Sequence, residues 1–242
     1  MSTFVRINKY ISESGLMSRR KADEYIEKGL VTIDGKIAVP GDKIEVNDDG
    51  SCSTVVICDG TVVKREDKKV IVVYNKPLGL TCTSKEADKT SIYHKFEYPV
   101  HLNYVGRLDK DSQGLLLMTN DGELSNMIQK SRNGHEKEYV VRVDKDIDSS
   151  FIKKMQQGVP MLDTVTKKCT VKKQSARTFT IILTEGLNRQ IRRMCEALGY
   201  RVVFLKRIRE VNILLGDLKP GEYRELTADE EAELRRRVQK QP

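Results

Sequence analysis

The stretch from Val105 to Ile128, VGRLDKDSQGLLLMTNDGELSNMI, constrains the fold of this chain more than any other. Leu115, Leu116, Leu117 and Met118 make a short continuous apolar run, closed by an Asn120-Asp121-Gly122 turn. That is the pattern of a buried strand, with a helix expected to start near Glu123. Ahead of the strand lies a polar loop holding Arg107 and Asp109, two residues apart. Gly106 and Gly114 let the backbone turn closely there, and a rigid apolar strand is a firm anchor for a carboxylate at a low-dielectric wall.

The other elements read off in order. Residues 6–14 form a short amphipathic helix with Ile7, Tyr10 and Ile11 on one side, ended at Gly15. Ser18 caps a second helix that stops at Gly29, and two short strands follow around Asp34-Gly35, a two-residue hairpin signal. Arg19, Arg20 and Lys21 fall in the first turn of the second helix, where the helix dipole disfavours cations and a bound phosphate would offset the cost. Residues 48–67 read as a polar connection carrying one or two strands, TVVICDG among them. Val70 to Tyr74 is a buried-type strand, with Asn75-Lys76-Pro77 and Gly79 as the turn after it. EKEYVVRVDK alternates as a strand, and SSFIKKMQQG is a helix capped by Asp148 or Ser149 and closed by Gly158. TFTIILTEG is a strand and NRQIRRMCEALG a basic helix closed by Gly199. YRVVFLKR and EVNILLG read as two more strands, and a last helix starts at Thr227 with a capping box to Glu230. Links of hairpin length without regular β-α-β alternation predict an α+β fold with a mainly antiparallel sheet.

At 242 residues there is room for one substantial core and a smaller module. A charged fraction of 32% and no apolar run near membrane-spanning length exclude a membrane protein, and the polar N-terminus gives no export signal, so a cytoplasmic location is expected. The five cysteines are scattered without a C-x-x-C pair, which favours reduced thiols over disulfides. Cys52 and Cys58, with His94 and His101, have poor spacing for structural zinc, and no metal is expected. No Gly-rich phosphate loop, H-E-x-x-H or G-x-S-x-G occurs. Between Lys167 and Arg209 there are 12 basic residues against two acidic ones, a local surplus larger than the +8 of the whole chain. Such an imbalance is the footprint of a polyanion, nucleic acid first.

VGRLDKDSQGLLLMTNDGEL is similar to the signature of the RNA pseudouridine synthases of the RsuA/RluB/RluE/RluF family. INKYISESGLMSRRKADEYIEKGLVTIDG resembles an S4 RNA-binding domain, YNKPLG the first catalytic motif, and GLNRQIRRMCEALGYRV the third. HEKEY and TVTKKCTVKK bring the chain nearest the RluF branch, which acts on large-subunit ribosomal RNA. The resemblance implies an S4-type helix-helix-hairpin domain over residues 1–66 and a mixed, mainly antiparallel synthase domain with a central cleft over residues 67–242. It implies cleavage of a uridine N1–C1′ bond, rotation of the base and rejoining through C5, with no cofactor and no metal. The expected partner is a stem-loop or bulged region of ribosomal RNA, with small-subunit RNA or transfer RNA as alternatives. A non-catalytic S4-containing ribosome-assembly protein is the competing class. No membrane partner is expected, and the protein is expected to be a monomer. RluF-type relatives can carry a long basic extension; with the chain ending soon after ELRRRVQKQP, any RNA grip from such a tail is expected to be absent or replaced.

The resemblance also assigns residues. Asp109 is the catalytic carboxylate, as nucleophile on the sugar or as base at C2′; residue type alone makes it a turn-capping aspartate. Asp111 is read as supporting the loop. Arg192 is the cation paired with Asp109, keeping it ionised despite burial, or else another phosphate contact. Tyr139 packs on the uracil and assists proton removal from C5, where by default a strand Tyr is half-buried core. Arg107 enters the RNA stack in place of the extruded uridine, offsetting part of the few kcal/mol of flipping, or is a surface ion pair. Arg189 and Arg193, with Arg19, Arg20 and Lys21, are phosphate contacts. Asn75 and Lys76 are loop residues first and RNA contacts second.

Overall fold

The structure, a computed structural model, describes residues 2–47, 52–64, 69–85, 87–130, 134–161 and 163–239. The chain forms two compact units: Met1–Val70 with Tyr98–Asn103 and Thr119–Gly122, and Ile71–Glu97 with Tyr104–Met118 and Glu123–Pro242. The boundary expected between residues 66 and 67 lies outside the described residues.

In the first unit, strand β1 (Ser2–Arg6) leads into α1 (Ile7–Glu13) and α2 (Arg19–Glu27). Then come β2 (Val31–Ile33), β3 (Lys36–Ile37), β4 (Lys43–Asn47), β5 (Val56–Cys58) and β6 (Thr61–Val62). Ser18 Oγ accepts the Lys21 N–H at 3.3 Å, which caps α2. Asp34 and Gly35 both have positive φ, the backbone that a tight β2–β3 hairpin needs. Ile7, Tyr10 and Ile11 of α1 and Ala22 and Ile26 of α2 bury against Val31, Ile44, Val46 and Val56. β1 pairs antiparallel with β4, and β3-β2-β5-β6 form a second sheet. Neither β1 nor β4 was expected, because each is a short, charged strand completed only by its distant partner.

The second unit carries β7 (Ile71–Lys76), β8 (Asn103–Val105), β9 (Gln113–Thr119), α3 (Gly122–Gln129), β10 (Lys137–Val143) and α4 (Ser149–Gln157). It continues with β11 (Pro160–Met161), β12 (Thr164–Val165), β13 (Thr170–Lys173), β14 (Thr178–Leu183) and α5 (Gln190–Ala197). It closes with β15 (Val202–Glu210), β16 (Ile213–Leu214), β17 (Tyr223–Glu225) and α6 (Ala228–Gln239). The main sheet runs β13-β14-β10-β15-β9-β7-β17, with β16 on β15 and β8 on β9. The β13–β14, β14–β10, β10–β15 and β7–β17 pairings are antiparallel, while β15–β9 is parallel. Leu115 to Met118 are wholly buried, as a strand covered on both faces requires. Phe151 and Met155 of α4 and Ile191, Met194 and Cys195 of α5 pack with Val141, Phe179 and Ile181. Leu124 and Ile128 of α3 and Leu234 and Val238 of α6 pack with Ile71, Val73, Leu115 and Leu117. The α6 capping box is formed: Thr227 N–H donates to Glu230 Oε2 at 3.0 Å and Glu230 N–H to Thr227 Oγ1 at 3.2 Å.

Two expectations change. Asn75 and Lys76 are not turn residues but the buried end of β7. The last strands are divided differently, because β15 runs on to Glu210 and reverses at Val211, whose φ is +56°.

The parallel pairing sets Gly114 against Arg207. Gly114 has φ +110°, and a Cβ there would lie 2.2 Å from the Arg207 carbonyl oxygen. Strain and clash act together, so Gly114→Ala is expected to cost roughly 3 kcal/mol or more of stability. A lowered midpoint in urea unfolding followed by circular dichroism checks this, and an unchanged midpoint would contradict it.

Candidate active site

Alternation along β10 puts Lys137, Tyr139, Val141 and Val143 on one face. Val141 and Val143 lie in the core, while Tyr139 and Lys137 continue the same face beyond it. There they line a cleft of about 500 Å³ with the loop 106–112, residues 183–192 and the end of β15. In the neighbouring strand Leu205 and Arg207 do likewise. A register shift between Glu138 and Tyr139 sets Arg207 opposite Tyr139 and Glu210 opposite Lys137.

The floor of the cleft is therefore charged. Arg207 is 1% exposed; its Nε donates to the Leu115 carbonyl at 2.7 Å and its Nη2 lies 3.3 Å from Glu210 Oε2. Lys137 Nζ stands 3.8 Å from Glu210 Oε1, so two cations face one buried carboxylate. Burial lowers the Lys137 pKa against the pull of Glu210. Burial raises that of Tyr139, with the Arg207 charge opposing.

Asp109 sits in the loop between β8 and β9, on the wall of this cleft. Lys76, fully buried, grips the loop from below: its Nζ donates to the carbonyls of Pro77 (3.0 Å), Asp109 (3.2 Å) and Ser112 (2.8 Å). Asn75 donates to the Leu218 carbonyl at 2.7 Å. Both side chains are 0% exposed, so the expectation that they contact RNA is corrected to a scaffolding role.

Arg192 is buried on α5 and holds the same loop. Its Nη2 donates to the Asp111 carbonyl at 2.6 Å and to Ser112 Oγ at 3.3 Å, and its Nη1 to the Val202 carbonyl at 3.3 Å. The carboxylate it faces is Asp111, 3.3 Å from Nε. The expected Arg192–Asp109 ion pair is not formed, and the cation that approaches Asp109 is Arg189, with Nη1 at 3.7 Å from Oδ2. Arg189 makes a two-pronged contact with Asp111, Nη1 to Oδ1 at 3.1 Å and Nη2 to Oδ2 at 2.8 Å. These bonds, with the Arg192 charge, hold the Asp111 pKa below the usual carboxylate range. The expectation that Arg189 is only a phosphate contact is corrected accordingly. The Asp109 carboxylate is about one-third exposed (35%), so it opens into the cleft rather than lying in a dry hollow.

Arg107 is exposed on the cleft rim. Arg193 donates to Asn188 Oδ1 at 3.1 Å and does not line the cleft. In the first unit Arg19 and Arg20 are exposed at the start of α2, and the Lys21 ammonium lies 5.7 Å from the centre of the Tyr25 ring. Among the described residues, seven Lys and Arg side chains line the cleft against three Asp and Glu, a balance that suits a polyanion.

Residues 70–197 match the family model described as RNA pseudouridylate synthase, and residues 5–49 that of the S4 domain. A Salmonella typhi protein described as dual-specificity RNA pseudouridine synthase RluF is 47% identical over 230 residues, 94% of this chain and 78% of that one. The chain belongs to the RNA pseudouridine synthase family. The ribosomal large subunit pseudouridine synthase B of Bacillus subtilis is 32% identical over 245 residues, covering 95% of each chain. A crystal structure of a pseudouridylate synthase superposes with a TM-score of 0.68 at 28% identity, covering 95% of this chain and 99% of that chain. The synthase is thus an enzyme that converts uridine to pseudouridine in RNA, with an S4 domain ahead of its catalytic fold.

The sequence reading missed Arg207 and Glu210. Glu210 lies one residue beyond the basic window, and Arg207 was counted there among the basic residues read as a polyanion footprint, yet they form a buried pair. Removing one partner of such a pair leaves an unbalanced charge. Glu210→Gln is expected to destabilise the synthase by about 3–5 kcal/mol, and a double replacement of Arg207 and Glu210 by Met by less than that. Chemical denaturation of both variants measures the difference; a double variant less stable than the single one would count against the pair.

Proposed function

We propose that the synthase isomerises one uridine of large-subunit ribosomal RNA, flipped out of a stem-loop or bulge, with Asp109 as the catalytic carboxylate. What supports this is that Asp109, Tyr139 and Arg107 line a single cleft with a basic lining. The half-open Asp109 carboxylate is placed to meet C1′ or C2′ of a sugar entering from the rim. The Tyr139 ring offers a face for the uracil, and Arg107 is positioned to stack in the gap left by the base. Arg192 and Arg189 act by fixing the loop and its charge. Residues 1–66 are the RNA-gripping domain and residues 67–242 the catalytic one, working as a cytoplasmic monomer without metal or cofactor. Arg19, Arg20, Lys21 and Arg193 meet backbone phosphates. Small-subunit ribosomal RNA and transfer RNA are the alternative substrates to test; relatives at 47% identity bear the description dual-specificity.

Asp109→Asn is expected to abolish pseudouridine formation while leaving RNA affinity nearly intact. Mapping pseudouridines in RNA from cells expressing only that variant tests it and identifies the target, and a retained modification would refute the role. Replacing Arg19, Arg20 and Lys21 by Ala is expected to weaken binding and flatten its salt dependence by about 0.7–0.9 in log–log slope per lost phosphate contact. An unchanged slope in filter binding at varied salt would separate the S4 domain from phosphate recognition.

A further inference from the structure

The charges at the cleft floor do not cancel. Arg207, Glu210 and Lys137 stand together where β10 and β15 run side by side, with Glu210 opposite Lys137 in the register. The Arg207 and Glu210 side chains are 2% and 1% exposed, so both lie beneath the cleft surface. Lys137 is the member of the three that reaches the cleft, with 20% of its side chain open. Arg207 Nη2 stands 3.3 Å from Glu210 Oε2, and the Arg207 Nε donates to the Leu115 carbonyl. Lys137 Nζ is left 3.8 Å from Glu210 Oε1, a charge contact too long for a hydrogen bond. Among the described residues its ammonium donates to no acceptor. A largely desolvated cation with three N–H donors and no protein acceptor is a site for an anionic or carbonyl oxygen. Lys137 and Tyr139 share one face of β10, two residues and about 7 Å apart along the strand.

We infer that Lys137 is a catalytic residue for the first half of the reaction: its ammonium donates to a carbonyl oxygen of the uracil lying on Tyr139 and stabilises the anion that the base becomes as N1–C1′ breaks. The inference rests on the proposed seating of the uridine, with Asp109 at its sugar. Whichever way Asp109 acts, the electron pair of N1–C1′ leaves with the base. In attack on C1′, an Asp109 oxygen forms a new bond there as N1–C1′ breaks. In removal of the C2′ proton, the C2′–H pair becomes a C1′=C2′ double bond as the N1–C1′ pair departs. Both routes release uracil as an anion whose charge is shared by N1, O2 and O4. The anion is used up when C5 bonds to C1′ and Asp109 is freed from the sugar or returns its proton to C2′, after which C5 loses a proton and N1 gains one. Lys137 is not consumed, because a donor already in place where negative charge develops lowers the barrier by its presence. Glu210 and Arg207 are positioning residues: Glu210 holds the ammonium at the floor, and Arg207 offsets the Glu210 charge so that the cluster stays positive toward the cleft.

The test uses the full chain as wild type, Lys137→Met and Asp109→Asn. The substrate is a transcript of whichever RNA the wild type modifies, made once with uridine and once with 5-fluorouridine, so a wrong choice of RNA class leaves the test intact. Fluorine makes the departing uracil anion less basic and less in need of a donor. Bond cleavage is counted in single turnover as rearranged nucleoside plus any RNA attached to protein. Lys137→Met is expected to bind RNA with the affinity and salt slope of the wild type, to cleave the uridine transcript roughly 10²-fold more slowly, and the 5-fluorouridine transcript by about tenfold or less. An equal loss on both transcripts, or no loss on uridine, overturns the inference. A loss confined to RNA affinity makes Lys137 a phosphate contact and overturns it too, as does a wild type that leaves 5-fluorouridine intact, since departure of the base would then not limit the reaction. Should Lys137→Met fail to fold, as judged by its urea midpoint, Lys137→Gln carries the same comparison; if neither folds, Lys137 is structural and the inference falls. Retained activity in Asp109→Asn refutes the reading of the site itself and is scored apart from the Lys137 variants.

Discussion

Two buried cations hold the loop that carries Asp109, and the active site depends on that grip. Loop 106–112 has no regular ladder to satisfy its backbone carbonyls, and an irregular segment at a cleft would ordinarily leave them to water. Lys76 reaches up from the end of β7 to three carbonyls of this region, and Arg192 reaches across from α5 to Asp111 and Ser112. Burial lowers the Lys76 pKa, and the nearby Asp109 and Asp111 charges oppose that shift. The loop is thus fixed by charge-assisted bonds to two elements distant in sequence, and the Asp109 carboxylate is left facing the cleft.

This arrangement explains why an Asp-rich loop lies beside so basic a helix. Arg189, Arg192, Asp109 and Asp111 compensate one another locally, so the basic stretch from Lys167 to Arg209 is not one solvated face. Arg209 belongs to the same pattern, paired with Glu136 at 3.0 Å and Glu138 at 2.9 Å. Arg107, by contrast, stays exposed at the rim of the cleft.

Local chemistry was legible in the sequence. Ser18, the Asp34-Gly35 turn, Asp148 at α4 and the Thr227–Glu230 box each stand where their side chains satisfy a helix end or a tight turn, within a few residues of chain. Long-range pairing was not. β1 is mostly exposed and ends in a charge, and only β4, about forty residues away, makes it a strand. The parallel contact of β9 with β15 is equally silent, since Gly114 looks like an ordinary loop glycine until the Arg207 backbone is set against it. Asn75 and Lys76 were misplaced because a Pro-Gly neighbourhood outweighed the apolar run before them. The strand in fact ends later, and a buried Lys there is stable because three carbonyls receive it.

The site shows the same division. Asp109, Tyr139 and Arg107 carry a recognisable motif and line one cleft. Which arginine meets which aspartate could not be read, because Arg189 and Arg192 lie three residues apart, one helical turn, and either could reach either carboxylate. The backbone decides it. Arg189 sits at the N-cap of α5 with φ +51°, outside the helix proper, and its side chain sweeps over the loop, while Arg192 lies inside the helix and faces inward. A left-handed conformation at a non-glycine residue costs of order 1–3 kcal/mol. Here it sets the two-pronged Arg189–Asp111 contact and brings a positive charge within 3.7 Å of Asp109. The strain therefore lies at the point where the helix is joined to the loop that carries Asp109, and the gain is a carboxylate kept near a cation without being buried beneath it.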